Sequence, residues 1–152
     1  MKARTLVIVT ADRSLVSETA TAAAGTNVRI VETTCDPERA IDAAILFDPD
    51  AVLVDLTTTE PRVVMRLASA LDATLGVRCV YASRPHAHTP APSALSRGIY
   101  LRRPVEARDL VDAIELATTR AAGRGVDAVL DEFENLTPHS FHPADRPGRQ
   151  TG

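Results

Sequence analysis

The chain has 152 residues, 45% hydrophobic and 24% charged, a balance and a size that favour one globular domain with its own core. Its net charge of -3 argues against a nucleic-acid binder, which usually carries a basic patch or stripe. No apolar run approaches the ~20 residues that a membrane span needs, and the residues after Met1 form a charged start followed by a strand rather than a signal peptide. Cys35 and Cys79 lie far apart beside apolar segments and read as two buried thiols in a reducing cytosol. The expectation is a cytoplasmic protein.

Thr5 to Val9 is wholly apolar after Thr5 and reads as a central strand of a parallel sheet. Asp12 or Ser14 can cap a helix over roughly residues 14–24, which is Ala-rich and ends at Gly25. Val28 to Glu32 reads as a second strand, with Val28, Ile30 and Glu32 on one face. Asp36 at the N-cap and Pro37 in the first turn open a helix whose apolar stripe is Ala40, Ile41, Ala44 and Ile45. Asp48-Pro49-Asp50 is a turn. Ala51-Val52-Leu53-Val54-Asp55 then reads as a buried strand closing on a carboxylate.

Pro61 begins a third helix with Val64, Met65, Leu67, Ala68 and Leu71 at helical spacing, ended by Gly76. Residues 77–82 form a fourth strand, followed by Ser83. Three prolines in residues 84–94 leave only a short turn of helix around Ser93 to Ser96. Ile99 to Leu101 is a fifth strand. Glu106 to Ala122 is an amphipathic helix with Leu110, Val111, Ile114, Leu116 and Ala117. Residues 123–152 are a C-terminal extension, with a short helix over 126–136 (Val126, Val129, Leu130, Phe133) and a disordered Pro-, Gly-, Arg- and His-rich tail.

Five βα units with a degraded fourth helix imply an α/β fold over residues 1–122: a (βα)5 doubly wound parallel five-stranded sheet. Sites in such sheets lie at the carboxyl ends of the strands, where Asp12, Asp55, Ser83 and the segment Tyr100-Leu101-Arg102-Arg103-Pro104 gather. Neither a GxGxxG nor a P-loop pattern occurs. His86 and His88, or His139 and His142, fall short of the three or four converging ligands that zinc needs.

In this order and spacing, the residues over about 4–122 resemble the receiver domains of two-component response regulators, a resemblance that implies a flavodoxin-like, receiver-like fold. The resemblance makes Asp55 the phospho-acceptor-like residue and Ser83 the hydroxyl that contacts the phosphoryl group. It puts Tyr100 at the switch aromatic and Arg103-Pro104 at the family's Lys-Pro, whose peptide bond is cis. The departures are as informative. Thr10 and Ala11 stand where receivers carry two adjacent acids, Asp12 falls one place late, and arginine replaces the lysine. Mg²⁺ needs carboxylates and waters in near-octahedral array, so Asp12 and Asp55, with Glu60 more remote, form a weak metal set and no other cofactor is expected. Arg103 is expected to pair bidentately with Asp55 and hold it ionised.

The reading is an atypical stand-alone module, a pseudo-receiver that is not an enzyme. It would act by protein–protein contact without Mg-dependent phosphorylation. Partners would dock on residues 99–117 and on the 126–136 segment, with homodimerisation open and neither membrane nor nucleic acid involved. The alternatives are a working two-component receiver in a phosphorelay, modified on Asp55 by a histidine kinase, and a small-ligand-binding flavodoxin-like module. A further one is a stand-alone relative of the receiver-like part of a localisation ATPase.

Overall fold

The computed structural model describes residues 2–83 and 98–122. The expectations for residues 84–97, and for the extension from 123 onward with its 126–136 helix, lie outside the described residues. Within them the order is β1 (Arg4–Val9), α1 (Arg13–Ala23), β2 (Val28–Thr34), α2 (Pro37–Phe47), β3 (Ala51–Asp55) and α3 (Pro61–Ser69). A π-helical turn (Ala70–Leu75), β4 (Arg78–Ser83), β5 (Ile99–Arg102) and α4 (Ala107–Ala122) follow. The strands form one five-stranded sheet, all parallel, in the order β2-β1-β3-β4-β5. The expected α/β doubly wound fold is the one observed.

Successive side chains on a strand point to opposite faces, so an apolar strand feeds two cores at once. Leu6 and Ile8 of β1 and Leu53 of β3 pack with Leu15 of α1 and Leu110 and Ile114 of α4. Val7, Val9, Val52 and Val54 pack on the other face with Ala40 and Ala44 of α2 and Val64 and Leu67 of α3. All five β3 residues are buried. That is why this strand carries no alternation in the sequence.

The caps follow from local chemistry. Asp12 is the N-cap of α1 and accepts from the Ser14 amide at 2.9 Å. Asp36 does the same for α2 at 3.0 Å, with Pro37 in the first turn. Such side chains satisfy amides that the first helical turn leaves unpaired. Gly76 ends the π-helical turn at φ 70°, a left-handed conformation that glycine adopts without Cβ strain.

The structure corrects four local expectations. A register irregularity between Leu6 and Val7 pairs Leu6 with Ile30 and Val7 with Glu32. The bulge at Val31 lets Glu32 reach Arg39 of α2 at 3.1 Å, whereas Ile30 packs with the α1 and α4 core. Ile45 is 64% exposed, not part of the buried stripe, which is Ala40, Ala43 and Ala44. At ~100° per residue, Ile45 falls ~40° beyond Ile41, itself only partly buried. By the same logic Leu116 lies on the flank of α4 and is exposed. Cys35 is exposed just after β2, and only Cys79 is buried; that burial pushes its thiol up to about 12. Among the described residues, no helix is long and apolar enough to cross a membrane.

Candidate functional site

β1, β3, β4 and β5 all end on one rim of the sheet, because all run in parallel. That rim carries Asp12, Asp55, Ser83, Arg103 and Pro104, as the sequence expects. The register sets their order. Asp55 pairs with Ala82 and Ser83 with Arg102, and the Leu56 amide donates to the Ala82 carbonyl at 2.8 Å.

Asp55 is 0% exposed, so its carboxylate depends on donors within the fold. The Thr10 hydroxyl donates to Oδ2 at 2.6 Å and the Thr58 hydroxyl donates to the same oxygen at 2.9 Å. Oδ1 accepts from the Thr57 amide at 2.9 Å. Thr58 Oγ1 also accepts from the Ala11 amide at 3.1 Å, and Thr10 Oγ1 from the Asp12 amide at 2.9 Å. These bonds stitch the ends of β1 and β3 together around the acid.

Arg103 does not pair with Asp55, contrary to expectation. Its guanidinium, 5% exposed, faces α1. Nε donates to Glu18 Oε1 at 3.2 Å and one terminal nitrogen to Glu18 Oε2 at 2.6 Å, a bidentate fork. That nitrogen also donates to Ser14 Oγ at 3.1 Å, and the other terminal nitrogen to Asp12 Oδ2 at 3.1 Å. Glu18 Oε1 further accepts from the Val105 amide at 3.2 Å. The hydrogen bond from Arg103 holds the Glu18 carboxyl below its ordinary range, and Glu18 in turn raises Arg103. The physical reason for the correction is charge: Glu18 on α1 and Asp12 at its N-cap together outcompete one acid whose oxygens already receive neutral donors.

The same arrangement decides the fit of a metal. Thr10 and Ala11 bring no carboxylate, Asp12 faces Arg103 and Ser14, and Asp55 is enclosed by Thr10, Thr57 and Thr58. The more remote Glu60 is the exposed N-cap of α3. Among the described residues, no three His, Cys, Asp or Glu side chains are grouped to hold an ion. The donor set of the described residues does not fit Mg²⁺.

The Arg103–Pro104 peptide is cis, as the resemblance implies. Tyr100, on β5, is 45% exposed and its ring lies 5.5 Å from that of the buried Tyr81, tilted by 40°. Burial raises both phenols.

Sequence reasoning missed Thr58, Thr57 and Glu18, offered Ser14 only as a helix cap, and gave Thr10 no role beyond replacing an acid. A signal existed for the threonines. An aspartate accepting the amide two residues on is a common local motif, and Thr57 and Thr58 follow Asp55 at the right offsets. Ser14 and Glu18 sit one helical turn apart on α1, but their partner lies 85 residues beyond Glu18.

No family model matches the chain, and no curated protein does. Solved structures do. The signal receiver domain of a modulated diguanylate cyclase from Desulfovibrio desulfuricans aligns over 80% of this chain and 98% of its own, at 20% identity and a TM-score of 0.67. The BeF3-activated conformation of SdrG from Pseudomonas melonis aligns over 78% and 99%, at 17% identity and a TM-score of 0.63. A response regulator receiver domain protein from Clostridium thermocellum aligns over 78% and 97%, at 17% identity and a TM-score of 0.61. At these identities the likeness is one of fold: the chain has the fold of receiver domains.

Proposed function

We propose that the chain is a receiver-like signalling module that works by protein–protein contact, with its β3 acid withdrawn from phosphoryl chemistry. The observation that carries this is the partnering of Asp55. Its buried carboxylate is held by three donors of its own rim, while Arg103, the cation nearest in role to the receiver lysine, is bound to Glu18 and Asp12. A phosphoryl group on Asp55 would bring at least one further negative charge into a rim whose described residues hold no metal set to offset it. The docking surface in this reading is β5 and α4 within residues 99–117, together with the 126–136 segment. The module is non-catalytic.

The alternative, a working receiver modified on Asp55 by a histidine kinase, draws on the likeness to receiver structures and on the place of Asp55 at the β3 tip. A titration with Mg²⁺ and beryllofluoride, followed by amide NMR on the full chain, separates the two. The proposed function expects no saturable shifts at Thr10, Leu56, Ser83 or Tyr100. Saturable shifts at these residues that vanish in Asp55→Asn would favour the working receiver.

A further inference from the structure

Three of the five large apolar side chains exposed among the described residues are consecutive: Ile45, Leu46 and Phe47, at 64%, 75% and 41%. Single apolar residues are ordinary on a surface, whereas a contiguous ridge marks a contact site. This ridge closes α2, whose buried side is the alanine set Ala40, Ala43 and Ala44. A groove of about 450 Å³ opens beside it, lined by Glu32, Arg39, Asp42, Ala43, Leu46 and Phe47. The core beneath α2 lies on the face of the sheet opposite the α1 and α4 core, so the ridge is separate from the β5–α4 surface.

The charge around the ridge is one-sided. Glu38, Asp42 and Ile45 lie along one line of α2, at spacings of four and three residues, with Leu46 beside them. Glu38, Asp42 and Asp48 are exposed, and none has a cationic partner among the described residues. Arg39, the one basic residue of α2, is taken by Glu32 at 3.1 Å. The last turn of α2 carries no basic residue to offset the negative end of the helix dipole. The Ile45 and Leu46 carbonyls also lack helical donors four residues on: Pro49 has no N–H, and the Asp50 amide donates to the Thr5 carbonyl at 2.9 Å.

This charge selects the occupant. A second copy docked about a two-fold axis would bring one acid-rimmed ridge onto another. The chain's own residues 126–136 carry Asp127, Asp131, Glu132 and Glu134 and no cation. Like charges count against both. We infer that the C-terminal turn of α2 is a docking site for a basic amphipathic helix of a partner protein. Its apolar side chains would meet Ile45, Leu46 and Phe47, and its Lys or Arg side chains Glu38, Asp42, Asp48 and the helix end. In such helix-in-groove recognition the apolar anchors give affinity and the charges give orientation and partner choice. The site adds a second contact surface to the module and does not depend on the state of Asp55.

The test is amide NMR on the full chain with two synthetic helical peptides, one of Leu and Lys at amphipathic spacing and one of Leu and Glu. The Leu–Lys peptide should give saturable shifts at Asp42, Ala43, Leu46 and Phe47. Leu46→Ser should weaken its binding about tenfold, the effect of losing one anchor. Asp42→Asn should weaken it about threefold, with the difference shrinking at high salt. Both side chains are exposed, so both variants keep the fold. The Leu–Glu peptide should not bind. The inference is overturned if the Leu–Lys peptide gives no saturable shifts, if its shifts fall on β5 and α4 instead, if the Leu–Glu peptide binds equally, or if Leu46→Ser binds as wild type does. Shifts at Leu46 and Phe47 on dilution of the chain alone would put a second copy on the ridge. Shifts there in Leu130→Ser with Phe133→Ser would put the chain's own segment on it. Either result also overturns the inference. These outcomes are independent of the proposed function, which fails instead on Mg-dependent modification of Asp55.

Discussion

Arg103 and Asp55 share one rim of the sheet without bonding to each other: the guanidinium closes on Glu18 at 2.6 Å, and the carboxylate takes the Thr10 hydroxyl at 2.6 Å. Receiver-like geometry is kept at the backbone, down to the cis Arg103–Pro104 bond. The side chains are paired differently. The consequences can be measured.

Arg103→Ala removes the guanidinium that bonds both Asp12 and Glu18. It should destabilise the fold by about 2 to 3 kcal/mol in urea unfolding, the scale of lost hydrogen bonds to charged groups. Arg103→Lys keeps the charge but not the fork, so it should cost about half as much. Equal stability of lysine and arginine at this position would show that the bidentate geometry contributes nothing.

Glu18 gives the fold a pH dependence of defined sign. Its folded-state pKa is lowered below the ordinary 4.5, chiefly by the Arg103 hydrogen bond. The unfolded chain therefore binds the proton first on acidification. The Glu18 contribution is fully present above the unfolded pKa and fades as pH falls through the folded one, that is, from about pH 5 downward. Stability measured against pH should fall less steeply in this window for Glu18→Gln. Curves of equal slope would mean that Glu18 is not coupled to folding.

Thr10→Val removes one donor from the buried Asp55 carboxylate and the acceptor of the Asp12 amide at 2.9 Å. A cost of about 1 to 3 kcal/mol is expected, with most of it restored by Thr10→Ser. If serine and valine are alike in denaturant, the hydroxyl is not what holds the acid.

Ile45 and Leu46, at 64% and 75% exposed, face solvent at the end of α2. Ile45→Lys with Leu46→Glu should change unfolding free energy by no more than about 0.5 kcal/mol each. Leu53→Ala, at a site 0% exposed, should cost about 2 to 5 kcal/mol. A large loss from the surface pair would place α2 differently from the structure.

The fold was legible because its signals are local and redundant. Apolar runs ending on polar residues mark β1, β3 and β4, and Asp12, Asp36 and Pro37 mark helix starts. The bulge in β2 was not, since a single extra residue such as Val31 leaves no mark on composition while reversing the face of Glu32. Within the site, positions were legible and pairings were not. Asp55, Ser83, Arg103 and Asp12 reach the expected rim because the strand ends put them there. Which acid Arg103 chooses depends on α1, far away in sequence, and on threonines that pre-empt Asp55.

The proposed function requires that Asp55 take no phosphoryl group. The direct measurement is intact mass of the full chain after incubation with acetyl phosphate, with and without Mg²⁺, for wild type and Asp55→Asn. No Mg-dependent adduct is expected on the folded wild-type protein. A Mg-dependent phosphoryl adduct, labile to hydroxylamine and lost in Asp55→Asn, would contradict it.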